Sequence, residues 1–346
     1  MAAGRWSQQY GQAVGFATLA AIVVLDVILD TVVISASYAV AAVVAGAMTT
    51  VRRTAVVAVV AVSLTVLSGA WNQNFGTLDW VIRLSLSAGL GVVAVLSARV
   101  RVHREQDLRH MTVIAETAQR AVLRVMPSAV GSVGFAARYV SATREALVGG
   151  DLYEVAASPY GVRVIVGDVR GKGLDAVGMA GTVLGAFRRA AFIQPSLTTI
   201  ATELDAVVTA VAGDEDFVTV LLAEFHDDHT VTLVNCGHHP PLLVTGADSA
   251  DALSTGEPAP PLGLGPTPRP VTSAWPGGSR MLIYTDGLIE ARDRRGAFFP
   301  LADYALALRE GSLDEALERL LNRLDDFAEH QMSDDMALVL VEHRTD

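Results

Sequence analysis

The sequence predicts an all-α region suited to a membrane, followed by an α+β domain built from packed β-sheets. Three observations carry that expectation. Residues up to about Ala98 hold few charges, and nearly all the acid lies after Arg99. Apolar runs long enough to cross a bilayer repeat within the first part. From Phe135 onward the pattern changes to short strand-like runs, with helical patterns grouped in pairs rather than alternating with each strand.

The whole chain has 346 residues, is 51% hydrophobic and carries a formal net charge of −11. That length leaves room for two or three domains. An acidic soluble part argues against nucleic acid as a partner. The single cysteine, Cys236, excludes an intramolecular disulfide and a multi-cysteine zinc site, and fits a reducing cytoplasm.

Val14–Leu29 and Thr31–Met48 are apolar runs separated by Asp30. Their combined length suits two tightly joined crossings at roughly 20 residues each. Arg52-Arg53 follow, then a third run, Ala55–Ala70. A polar loop flanked by tryptophans leads to the fourth, Trp80–Ala98, and to the basic cluster Arg99–Arg104. Four crossings place both basic segments on one side, which the positive-inside rule makes the cytoplasm. The expectation is a multi-pass protein of the plasma (inner) membrane, with everything after Arg104 cytoplasmic. If Val14–Met48 crosses once, only the N-terminus changes side. Asp26 lies inside the first run, close enough to Asp30 to sit at the outer interface; a carboxylate deeper in the bilayer is often functional.

Glu105–Met126 reads as a helix ended by Pro127. Leu108, Met111, Ala115, Ala118, Val122 and Val125 recur at heptad spacing, which suits either parallel pairing with a second copy or packing on the helix's own domain. The chain thus divides into a membrane region 1–98, a linker helix 99–127 and a soluble domain 128–346. Strands are expected at Phe135–Val140, Asp151–Ala157, Val162–Val166, Phe217–Phe225, Thr230–Cys236, Leu242–Thr245, Arg280–Thr285 and Ala337–Glu342. Helices are expected at Leu174–Ala191, Thr198–Ala212, Leu301–Leu308 and Leu313–Glu329. Pro258–Pro270 reads as a loop.

Acidic residues stand at the edges of these strands: Asp151 after Gly149-Gly150, Asp168 after Gly167, Asp286 before Gly287, and Asp334-Asp335 before Met336. Singly, each could cap a turn. Together they suggest one shared site, because close carboxylates repel and divalent cations relieve that repulsion. Oxygen ligands without histidine or cysteine favour Mg²⁺ or Mn²⁺. Gly171-Lys172 suggests a P-loop, but Gly173 replaces the Ser or Thr and the spacing from Gly167 is one residue short.

Six ordered motifs carry a resemblance: Val148–Tyr153, Val166–Gly173, Asn235–Pro241, Pro261–Gly263, Tyr284–Ala291 and Asp334–Met336. They are similar to the motif series of the SpoIIE/RsbU-type branch of PP2C (PPM) serine/threonine phosphatases, over about Val125 to Val341. The resemblance implies a PP2C-like α-β-β-α sandwich with two Mn²⁺ or Mg²⁺ ions at one end. It implies Asp168, with Asp286, as catalytic ion-holding residues. The Val169 carbonyl and Asp334 would complete the set, with Asp151 close by and Asp335 the lesser candidate. It implies direct hydrolysis without a phosphoenzyme, acting on a phosphorylated protein such as a STAS-domain anti-sigma-factor antagonist. The chain departs from the pattern at Arg170, which contacts either substrate phosphate or solvent, and at Glu154, Ala337 and Cys236. His238-His239 resemble metal ligands, but this stretch is a structural turn in the family. Two other readings stand beside the phosphatase: a degenerate, binding-only signalling module, and a transporter using Asp26 and Arg83.

Overall fold

The computed structural model describes residues 2–28, 34–141, 149–213, 215–245, 249–329, 332 and 334–344. The chain forms two compact units, Met1–His110 and Met111–Asp346.

The first unit is helical. Its helices are α1 (Ala2–Ile28), α2 (Val40–Met48, preceded by a 3₁₀ turn at Ser35–Ala39), α3 (Val51–Trp71) and the start of α4 (Leu78–Val122). Tyr10–Ile28, Val51–Trp71 and Leu78–Val122 are long and apolar enough to cross a membrane, by length and composition. Of the second expected crossing, Thr31–Met48, the described part is the apolar stretch Ser35–Met48, which ends as expected where the backbone turns extended at Thr49 and Thr50 before α3; residues 31–33 lie outside the described residues. Asp30 lies outside the described residues. Small side chains make the core: Ala41, Ala42, Ala45 and Ala61 are fully buried around Leu19, Tyr38 and Val57. Asp26 is also buried. It accepts hydrogen bonds from the Tyr38 hydroxyl and the Ile34 amide, both at 2.6 Å. Partners from the chain itself therefore take the place of solvent around this carboxylate.

α4 runs unbroken through the basic cluster and ends at Val122, earlier than the expected Met126. The Val122 carbonyl accepts from Arg188 at 2.9 Å, and Val125 is almost wholly exposed, so nothing rewards another turn. The heptad seam is divided in use. Ala115, Ala118 and Val122 pack with Val177 of the same unit, whereas Leu108 and Met111 are exposed.

The second unit holds β1 (Ala129–Val130), β2 (Val133–Val140), β3 (Leu152–Ser158), β4 (Gly161–Val169), α5 (Leu174–Ile193), α6 (Leu197–Val211), β5 (Val218–Phe225) and β6 (Thr230–Cys236). It continues with β7 (Leu242–Thr245), β8 (Ser249–Ala252), β9 (Val271–Ala274), β10 (Arg280–Tyr284), α7 (Leu301–Tyr304), α8 (Leu313–Phe327) and β11 (Met336–His343). One sheet has the order β1-β2-β11-β10-β7-β8 and the other β3-β4-β5-β6-β9. All named strand pairs are antiparallel. The short strands β1, β8 and β9 fall outside the expected set.

Strand alternation builds four layers. Ile165 of β4 faces the α5–α6 layer with Leu184, Phe187 and Ile200, while its neighbours Val164 and Val166 face the other sheet. There they meet Val339 and Val341 of β11, whose neighbours Leu338 and Leu340 pack under Leu317 and Leu320 of α8. Both faces of β4 and β11 are buried, which is why they read as continuous apolar runs. α5 is also apolar and long enough to cross a membrane by composition, but one face of it is core. A capping box starts α8, with Ser312 and Glu315 each bonding the other's amide. The fold is the expected α+β sandwich.

Candidate metal centre

Antiparallel pairing decides where the acids meet. Leu152 opposes Gly167, so Asp151, just before β3, stands beside the end of β4. Asp168 lies within β4 and opposes Thr219 of β5. In the other sheet Tyr284 opposes Leu338, so Asp286, after β10, stands beside Asp334 and Asp335, before β11. These acids, with Val169 and Arg170, line one cavity of about 320 Å³.

The acids differ in environment. Asp151 is 2% exposed, and its Oδ2 accepts from the Thr285 hydroxyl at 2.9 Å. Burial, and then the charge of Asp168, push the Asp151 carboxyl well above the usual range. Burial, and then Asp286, push Asp168 up to about 7. Burial, followed by Glu290 and Asp334, raises Asp286. Asp334 is partly exposed and accepts from Lys172 Nζ at 2.7 Å. That hydrogen bond is the main reason the Lys172 ammonium is held above its ordinary value.

Asp335, the lesser candidate by sequence, has another use. It is 3% exposed and accepts from the Gly149 amide and, at 2.9 Å, from the Ser141 hydroxyl. It therefore pins the segment that carries Asp151. Gln119 of α4 grips the same segment through the carbonyls of Gly149 (3.3 Å) and Asp151 (3.5 Å). A Cβ at Gly150 would lie 2.5 Å from Val169 Cβ and 2.7 Å from its carbonyl oxygen. Only glycine lets the two segments run this close.

An oxygen-only set with mutually raised carboxyls fits a hard divalent cation, which offers each acid more than a shared proton does. Among the described residues no three histidine, cysteine or acidic side chains are already closed around an ion position.

Several residues singled out by sequence belong elsewhere. Glu154 pairs with Arg188 at 2.6 Å on the α5 side of its sheet. His238 is buried and neutral, with burial lowering it to about 3. Its Nε2 donates to the Tyr284 carbonyl at 3.0 Å, since that oxygen only accepts; Nδ1 therefore accepts from the Thr219 hydroxyl at 3.1 Å. With both nitrogens engaged, His238 fastens the two sheets together. Arg170 reaches the cavity rim, but its guanidinium is bonded by the carbonyl and, at 3.2 Å, the carboxylate of Glu215. Cys236 is fully buried, and burial pushes its thiol up to about 12. Sequence reasoning missed Thr285 and set Lys172 aside; only the Gly-Lys-Gly display of the latter hinted at a role.

The family model for stage II sporulation protein E, SpoIIE, matches residues 158–344, more than half of the chain. The chain belongs to the SpoIIE family. A crystal structure of the RsbU and RsbW domains of a Mycobacterium tuberculosis protein is 27% identical, with a TM-score of 0.52, over 62% of this chain and 62% of that one. This SpoIIE-family chain thus spans about three-fifths of that relative. The SiaA-PP2C domain of Pseudomonas aeruginosa is 18% identical with a TM-score of 0.58, covering 72% of this chain and 99% of that domain. A Bacillus subtilis SpoIIE structure, holding the PP2C phosphatase domain and a fragment of the regulatory domain, is 17% identical with a TM-score of 0.51. It covers 62% of this chain and 64% of that one. The last two establish the PP2C fold of the second unit.

Proposed function

We propose that this SpoIIE-family chain is a membrane-anchored, metal-dependent phosphatase that removes phosphate from serine or threonine of a cytoplasmic regulatory protein. The observation that carries this reading is the meeting of Asp151, Asp168, Asp286 and Asp334 from both sheets in one cavity. These four acids, with the Val169 carbonyl, would hold two Mn²⁺ or Mg²⁺ ions. When bound, such ions supply Lewis acidity toward phosphoryl oxygens and toward water. The motif resemblance makes Asp168 and Asp286 the central catalytic pair, and both line the cavity. Arg170 meets the incoming phosphate at the rim by exchanging Glu215 for phosphate oxygens, a bidentate match for its guanidinium. Cys236 and His238 do not act as nucleophiles, because both are buried in the fold and both His238 nitrogens are engaged.

The motif resemblance directs the choice of substrate to a phosphorylated STAS-domain antagonist of an anti-sigma factor. The apolar helices of the first unit support a plasma-membrane location, and the arginines at 52–53 and 99–104 support a cytoplasmic second unit. The test is Mn²⁺-dependent phosphate release from a phosphoserine protein by the full chain in detergent, with Asp168→Asn as control. Metal-dependent release that disappears in the variant supports the reading. Absent release, or an unaffected variant, returns the chain to a binding-only module.

A further inference from the structure

Lys172 has no place in the ligand set, yet its position is built rather than incidental. Gly171 and Gly173 on either side have φ of +107° and +90°, backbone that side-chain-bearing residues rarely adopt. Between them Lys172 forms a β-bridge with Gly149, whose amide is in turn held by Asp335. The lysine is thus displayed from a turn pinned to the acid-bearing segment. Its Nζ lies 2.7 Å from Asp334 Oδ1, the oxygen that also accepts the Asp335 amide at 2.9 Å.

Resting on the metal centre proposed above, we infer that Lys172 is a built-in placeholder cation. Its ammonium neutralises Asp334 while no divalent ion is bound, and must release that carboxylate for an ion to take it. Lys172 therefore sets the ion affinity of the site. The balance of forces suits such an exchange. The pair is about two-fifths exposed on each side, so its net hold is weak. A divalent ion outbids a single ammonium at the same distance by its doubled charge. The flexible four-carbon stem lets the ammonium swing away without moving the pinned turn. A lysine serving only to brace the loop would have the opposite consequence: its removal would loosen the site and weaken ion binding.

The sign of the effect is the test. Mn²⁺ binding to the full detergent-solubilised chain is measured at fixed pH by the electron paramagnetic resonance signal of free Mn²⁺. Lys172→Met is expected to bind Mn²⁺ more tightly by about fivefold, the scale of one partly exposed ion pair. Lys172→Gln should repeat that result, which guards against a folding defect peculiar to methionine. Lys172→Arg, which keeps the charge, should bind no more tightly than the wild type. Unchanged or weaker binding in both neutral variants overturns the inference, as does equal tightening in Arg170→Met, which would reduce the effect to the general field of the cavity. Those outcomes leave phosphate release by the wild type intact. Absence of Mn²⁺ binding in every variant overturns the metal centre as well, and so separates the two failures.

Discussion

The Thr285 hydroxyl stands between Asp151 Oδ2, to which it donates at 2.9 Å, and the Ala337 amide, from which it accepts at 2.8 Å. Thr285 follows β10 and Asp151 precedes β3, so one buried hydroxyl fastens the two sheets beside the cavity that Asp151 lines. It also steadies the ionised form of Asp151 against the burial that raises its proton affinity.

Thr285→Val keeps the shape and removes both bonds. Two buried partners are left unsatisfied, at a cost of about 1–3 kcal/mol. Thermal unfolding of the solubilised chain should shift down accordingly. Mn²⁺ affinity should fall too, because Asp151 holds its proton more tightly without the donated bond.

Asp168 links stability and ion binding to pH. Its folded value of about 7 lies above its ordinary value of 3.8, so the ion-free folded state takes up a proton that the unfolded chain lacks. The stability this contributes is fully present below pH 3.8 and is lost as pH rises through about 7. The ion-free chain should therefore melt at lower temperature at pH 8 than its other groups alone would dictate, and saturating Mn²⁺ should offset the loss. Mn²⁺ affinity should rise with pH through the same window, with protons released on binding, which calorimetry in buffers of different ionisation enthalpy would detect. A pH-independent affinity would contradict this account.

Gly150→Ala tests the close approach of the Asp151 segment to Val169. The new methyl would lie 2.7 Å from the Val169 carbonyl oxygen, so backbone on one side must move. The expected outcome is at least about a tenfold loss of phosphate release, since small displacements of positioned groups carry large kinetic penalties. The fold core, lying between the sheets and under the helices, should remain, as read by circular dichroism.

Arg163→Met should affect stability far more than activity. Arg163 is fully buried, pairs with Glu224 and donates to the carbonyls of Ala191 (2.8 Å), Gln194 (2.6 Å) and Pro195 (3.1 Å) at the end of α5. Its loss strands a buried carboxylate, a cost of about 3–5 kcal/mol. Adding Glu224→Gln should recover part of that. A melting temperature unchanged by the single substitution would refute the assigned role.

Much of the sandwich is legible in the sequence because its central strands are buried on both faces and announce themselves as apolar runs. Val164–Val166 and Leu338–Val341 are examples. The strands that escape notice are short: β1 has two residues, and β8 and β9 have four each. Such short strands carry too little periodicity to stand out. The second apolar run of the first unit was legible as apolar and in its end at Met48, but not in the 3₁₀ turn, Ser35–Ala39, with which its described part begins. Asp26 had the same character: its residue type was visible and its partner Tyr38, twelve residues on, was not.

The sequence by itself determined which acids stand at strand ends, which glycines flank them and which family pattern they follow. Strand periodicity and turn chemistry are local, and each is written within a few consecutive residues. Only the tertiary structure decided what each acid does there. It gave Asp335 to the Gly149 amide, Asp334 to Lys172 and Asp151 to Thr285, and it closed His238 between Thr219 and Tyr284. Asp151 and Thr285 lie 134 residues apart, and Lys172 and Asp334 lie 162 apart. No local pattern encodes such pairs, because they exist only once two sheets have packed and their ends share one cavity.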